Sequence, residues 1–212
     1  MRELFPRVVG AVGGLAIFSF GMVLTVQANL GVASWQAFHL GLSISSPPLL
    51  GFALTFGQAA ALTTAVLILV SWLGGIRPHI ATLVNFVVVP PMLDLGLALI
   101  PPAEALPFKV LLLALGVLVM GLGTAIYIRP RLGAGPRDAF MLAMVRKTGW
   151  RVATIRTSME VTVLTLGFLM GAPIGVGTVV LAFAIGPTVA WFFRLFGVHA
   201  ERIGLAASTA TR

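Results

Sequence analysis

The apolar positions of this 212-residue chain fall in long unbroken runs, not in the alternation of a half-solvated strand or the single stripe of a surface helix. From Val8 to Ile76 there is no Asp, Glu, Lys or Arg at all. A helix rises about 1.5 Å per residue and a bilayer core is about 30 Å thick, so roughly 20 apolar residues make one crossing. The pattern predicts six membrane-spanning helices, near residues 8–28, 50–73, 79–100, 109–128, 153–171 and 174–196, with a polar tail over 198–212. The expected fold class is therefore an all-α polytopic membrane protein forming a single transmembrane domain. Pro90-Pro91 falls inside the third span. Proline removes an amide donor and crowds the preceding turn, so this span is expected to kink or end there.

Composition fixes the solvent. Hydrophobic residues make up 58% and charged residues 9% of the chain, with a mean hydropathy of +1.05. Fourteen Lys/Arg and six Asp/Glu are too few to clothe a water-soluble globule of this length. The net charge of +8 would suit nucleic acid only if it clustered with aromatic residues on a soluble face, and here the cations sit between apolar runs. The expected partner is the lipid bilayer, not nucleic acid. With the N-terminus in the cytoplasm, Arg2, Arg7, Arg77, Arg129, Arg131, Arg137, Arg146, Lys147, Arg151, Arg194, Arg202 and Arg212 lie on or near the inner side, and Lys109 lies outside. Retention of Lys and Arg on the cytoplasmic side then predicts an N-in, C-in, multi-pass arrangement.

A second pattern is an internal repeat. Sliding the chain by 102 positions aligns Gly21 with Gly123, Leu30-Gly31 with Leu132-Gly133, Ala37-Phe38 with Ala139-Phe140, Thr55 with Thr157 and Gln58 with Glu160. After a six-residue deletion in the second copy, Thr82 meets Thr178 and Pro91 meets Pro187. Each copy, about 8–100 and about 109–197, holds three spans, an odd number, so the second must enter the membrane from the opposite side. The run before Val26-Gln27-Ala28 also has the shape of a secretory signal, but removing it would leave five spans and an unmatched fourth. An inverted duplication can be a mere assembly history. It can also supply the two conformations of a transporter, with a site between the halves near the midplane.

The candidate chemistry sits after spans one and four. In LGAGPRDAF, Leu132 to Phe140, the glycines permit a tight turn and Pro136 suits the first turn of a short helix running to about Val145. Its N-terminal amides would favour an anion or carboxylate. Asp138 could simply cap those amides, and Arg137 could face lipid phosphates. The counterpart LGVASWQAF, Leu30 to Phe38, keeps the shape without the charges, with Ser34 as a cap and Trp35 as an interfacial anchor. In the fifth span Arg156 and Glu160 stand four residues apart on one helix face, in position to pair. A lone carboxylate at that depth costs several kcal/mol, roughly 2.5–3.5 on insertion scales, so it must pair, neutralise or face a polar cavity. Arg137, Asp138, Arg156, Glu160, Gln58, Asn85, Trp35 and Gln36 form the candidate substrate-binding set. Gln58 and Asn85 can equally serve as hydrogen-bonding contacts between helices.

Several chemistries lack a signature. There is no cysteine, no HExxH pair, no GxSxG elbow and no P-loop lysine after a glycine run. No enzyme, catalytic residue, metal or cofactor is expected. Gly10, Gly13, Gly14, Gly116, Gly121 and Gly123 read as helix-contact positions, where small residues let backbones approach.

The two nine-residue motifs, with Thr157-Ser158-Met159-Glu160 and Gly175-Val176-Gly177-Thr178, resemble the YczE-like family of bacterial integral membrane proteins, related to the YitT-type group, over nearly the whole chain. GAGPRD is the most specific element. Ser34-Trp35-Gln36 departs from the family's usual Pro-Trp-Asp and so lacks an acid at Gln36. The resemblance implies a protein of the bacterial plasma membrane without fixing an activity. Two functions are open: a small-solute transporter or permease for an anionic or carboxylate-bearing solute, compatible with a homodimer; or a non-transporting subunit or scaffold in a larger membrane complex.

The topology is directly testable, because the chain offers no native thiol. A membrane-impermeant maleimide applied to intact cells is expected to label Asn29→Cys, and to label Arg131→Cys only after the membrane is opened.

Overall fold

The computed structural model describes residues 4–197 and contains eight helices among them. These are α1 (Leu4–Gln27), α2 (Ser34–Leu50), α3 (Phe56–Leu73), α4 (Ile80–Leu99), α5 (Leu106–Ile128), α6 (Pro136–Thr148), α7 (Val152–Leu169) and α8 (Val176–Leu195). Six of them, α1, α3, α4, α5, α7 and α8, are long and apolar enough to cross a membrane, matching the six expected spans to within several residues. Large apolar side chains such as Phe5, Leu73, Val176 and Phe183 stand exposed on their outer faces, as lipid contact requires. The polar tail, with Arg202 and Arg212, lies outside the described residues, as does Arg2.

One expectation needs correction: the helix after the first span is not short, since α2 runs 17 residues and ends only after Pro47-Pro48, where Gly51 takes a left-handed φ of 77°. Of the two outcomes expected at Pro90-Pro91, a kink or an end, α4 does not take the second; it continues to Leu99. The prolines deprive the carbonyls of Phe86 and Val87 of their partners, but packing carries the helix across. Val89 and Pro90 are buried, Gly57 of α3 lies against the Pro90 carbonyl, and Leu93 is fully buried in the main apolar cluster with Leu15, Met22 and Val23.

Four helix starts, those of α2, α3, α4 and α8, are built alike. The residue three positions into the helix turns back to the cap amide: Gln36 Oε1 accepts from Ala33 N–H at 2.9 Å, Gln58 Oε1 from Thr55 N–H at 3.0 Å, Thr82 Oγ1 from His79 N–H at 3.2 Å, and Thr178 Oγ1 from Gly175 N–H at 3.3 Å. Each bond satisfies a donor that the helix itself leaves open. Ser34, expected as a cap, is instead the first helical residue, because Gln36 already does that work.

The most extensive packing joins α1 to α5, and it rests on glycine. A Cβ at Gly14 would strike the Tyr127 backbone, and one at Gly116 would strike Thr25; one at Gly21 would strike Met120, and one at Gly123 the Phe18 backbone. With no side chain in the way, the two backbones approach closely and gain dispersion contact along the crossing. These contacts come in exchanged pairs, since Gly14, Phe18, Gly21 and Thr25 stand 102 positions before Gly116, Met120, Gly123 and Tyr127. The same exchange recurs in the loops. Gly177 N–H donates to Leu30 O at 2.7 Å, and Ala81 N–H donates to Leu132 O at 3.2 Å. Gly31 and Gly133, beside those carbonyls, have φ of 105° and 102°, a region open to glycine and costly for other residues. Among helices, α2 packs on α7 while α6 packs on α3.

Of the glycines expected at contacts, Gly14, Gly116, Gly121 and Gly123 are so used, Gly10 meets only Pro130, and Gly13 faces open space. Gly14→Ala is expected to destabilise the protein by about 1–3 kcal/mol through overpacking. Gly13→Ala should be neutral or stabilising by up to about 1 kcal/mol, through helix propensity. Reversible unfolding in detergent measures both.

Candidate functional site

The N-terminal turns of α2 and α6 meet the middle of α7. Trp35, the second residue of α2, is buried at 6% exposure, so it is no interfacial anchor. Its indole Nε1–H donates to Glu160 Oε1 of α7 at 3.0 Å, and the Arg137 guanidinium of α6 lies over its ring, 4.6 Å from the centroid. One aromatic side chain thus takes a cation on its face and gives a proton donor to a carboxylate at its edge. Trp35 and Arg137 are themselves 102 positions apart, the same offset that aligns the two sequence motifs.

Gln36 faces the other way, into α1. Its Nε2–H donates to Thr25 Oγ1 at 2.9 Å and to Met22 O at 3.1 Å, while Oε1 serves the Ala33 amide. At 1% exposure it is a fully engaged amide that fixes the start of α2, and through it the angle of Trp35.

Asp138 does not cap α6; the cap position, Gly135, has no side-chain bond, so that helix start keeps its amides unserved by side chains. Burial pushes the Asp138 carboxyl above its usual range, with Arg156 and Arg137 working against the shift. Arg156 and Glu160 do not form the expected ion pair among the described residues; Glu160 is turned to Trp35 instead. Arg156 is exposed near the start of α7, and Arg137 and Glu160 are half-buried. Gln58 is exposed and occupied with its own helix cap, because α3 begins only at Phe56. Asn85 is half-buried on α4 and makes no hydrogen bond to the cluster among the described residues. Asp94, at the far end of α4, accepts from Thr55 Oγ1 at 2.6 Å and Gly57 N–H at 2.7 Å and so anchors α3.

Sequence reading passed over His39. It stands one turn after Trp35, at 3% exposure, and Nδ1 has no hydrogen-bond partner. Burial first, and the Arg137 charge second, hold its imidazole well below the usual range, so it is neutral at pH 7. The i, i+4 spacing from Trp35 was the signal that could have found it. The described residues hold no cluster of three or more metal-ligating side chains.

What the assembly can do chemically follows from its parts. A guanidinium and a second arginine, set beside an unserved helix start, attract negative charge; a carboxylate hydrogen-bonded to indole can exchange that bond for one to a ligand.

Comparison with known proteins agrees with this architecture. The chain is 34% identical over 187 residues to the uncharacterized membrane protein YczE of Bacillus subtilis, covering 87% of this chain and 84% of that protein. It is 31% identical over 181 residues to an uncharacterized protein of Haemophilus influenzae (85% and 80% covered), and 27% identical over 169 residues to the uncharacterized protein YyaS of Bacillus subtilis (78% and 81% covered). No solved structure matches. Residues 5–194, all but the ends, match the family of unknown function DUF6198. The chain is a member of that family, in the company of YczE, and a multi-pass membrane protein.

Proposed function

We propose that the protein is a small-solute transporter of the bacterial plasma membrane, moving an anionic or carboxylate-bearing solute by alternating access between two inverted three-span repeats. The observation that carries this reading is the contact of Trp35 with Arg137. In an object with two-fold pseudo-symmetry, a position meets its own equivalent only at the axis. The exchanged glycine contacts of α1 and α5 and the exchanged loop bonds support the same axis. A site on the axis of an inverted repeat is reached equally from either side, and that equivalence gives alternating access its two states.

In this reading Arg137 and Arg156 receive the anion, and Trp35 gives the solute an aromatic face. Glu160, released from the indole, becomes free to accept a hydrogen bond from a donor group of the solute. The cation distribution supports an N-in, C-in orientation. Gln36 is a positioning residue. A second copy or a larger membrane complex is compatible with the exposed faces of α7 and α8.

Purified protein in liposomes, tested with radiolabelled short-chain carboxylates and inorganic phosphate, provides the check. Arg137→Gln and Glu160→Gln are each expected to lower flux at least about tenfold, the loss that follows from removing one member of a desolvated charged group. Gln58→Ala is expected to leave flux unchanged within about twofold, since surface changes rarely cost more than about 0.5 kcal/mol. Flux indifferent to Arg137→Gln would overturn the assignment.

A further inference from the structure

Between α3 and α7 lies a cavity of about 470 Å³. Phe38 and Leu42 of α2 and Phe140 and Met144 of α6 wall it, and these are two pairs of equivalent positions, 102 residues apart. The cavity therefore straddles the same relation that joins Trp35 to Arg137. Its lining is hydrocarbon apart from the hydroxyls of Thr63, Ser158 and Thr162, and it includes no charged side chain. Leu62 and Val66 on the α3 side are 44% and 50% exposed, so the mouth opens toward the region that acyl chains occupy. The volume lies in the lower half of the roughly 300–1,000 Å³ typical of ligand sites, enough for one tail and too little for a two-chain lipid.

The polar group adjoins this cavity through a single shared wall. Trp35 lines it, and the same ring carries the Arg137 guanidinium. Arg137 forms no ion pair and no hydrogen bond among the described residues, and its N–H groups are not sealed off, since the one buried side-chain polar atom lacking a partner there is His39 Nδ1. Arg156 follows Ile155, another cavity residue, at the same end of α7. A soluble anion would gain nothing from the apolar cavity, and an uncharged lipid would gain nothing from the guanidinium.

We infer that the substrate is a single-chain amphiphile with an anionic head that enters from the bilayer between α3 and α7. Its tail occupies the cavity, and its carboxylate or phosphate meets Arg137 at the edge of Trp35. The inference rests on the transport reading and narrows its substrate class. Burying the tail is favourable relative to water but gains little relative to lipid, so selection among membrane components falls to the head.

The test uses tryptophan fluorescence in nanodiscs of unbrominated lipid. Trp72→Phe, Trp150→Phe and Trp191→Phe leave Trp35 as the sole indole. Dibromostearate, a heavy-atom quencher, is expected to quench it saturably, at a membrane mole fraction at least about tenfold below that needed by methyl dibromostearate or by dibromo-phosphatidylglycerol. Arg137→Gln should abolish the preference for acid over ester, and Ser158→Phe, which fills the cavity, should weaken quenching by both. Equal quenching by acid and ester, quenching that never saturates, or stronger quenching by the two-chain lipid would each overturn the inference. Flux of short-chain anions without saturable quenching would sink the amphiphile and leave transport standing; saturable quenching without flux of any anion would do the reverse.

Discussion

A guanidinium carried into an apolar helix bundle has to be compensated where it sits, because arginine does not shed its proton and the surroundings screen weakly. Arg137 meets this constraint through Trp35, whose ring face accepts the cation while its N–H is pulled toward Glu160. The arrangement depends on three elements at once. The start of α6 brings the cation, the start of α2 brings the ring, and α7 brings the carboxylate. Because α2 belongs to the first half of the chain, and α6 and α7 to the second, the charge can be held only while the halves are docked.

The docking is itself a backbone property. Glycines at four positions of α1 and α5 bring the two backbones together, and Thr25, at the end of that crossing, also accepts a hydrogen bond from Gln36 of α2. From there the path to the site is short: Gln36 holds the cap of α2, and Trp35 is its neighbour. Gly31 and Gly133, in their left-handed conformation, let both loops lie flat against the opposite half before each following helix begins. Few polar side chains take part, in keeping with a solvent in which an unpaired polar group is expensive.

How much of this could be read from the chain beforehand differs by level. The six spans were legible because lipid demands runs of apolar residues about 20 long, and that demand is local. The close crossing of α1 and α5 was legible from its glycines, since a Cβ at Gly14, Gly21, Gly116 or Gly123 would strike the facing helix. Partners were harder. Arg156 and Glu160 have ideal spacing for a pair, yet Glu160 prefers an indole 125 positions away in sequence, a choice made by the packing of α2 on α7. Gln58 shares an aligned position with Glu160, but α3 starts later than α7 relative to the repeat, which turns a central residue into a helix cap. Trp35 had the composition of an interfacial anchor and the burial of a core residue. His39 carried no motif at all.

The claim at the centre of this account is that Trp35 and Glu160 clasp the two halves around Arg137, and a double-mutant cycle on unfolding free energy tests it most directly. Trp35→Phe removes the donor and keeps an aromatic ring; Glu160→Ala removes the acceptor. The account predicts a coupling of about 0.6–1.7 kcal/mol between the two changes, the range for hydrogen bonds between membrane helices. Effects that add to within about 0.3 kcal/mol would contradict it.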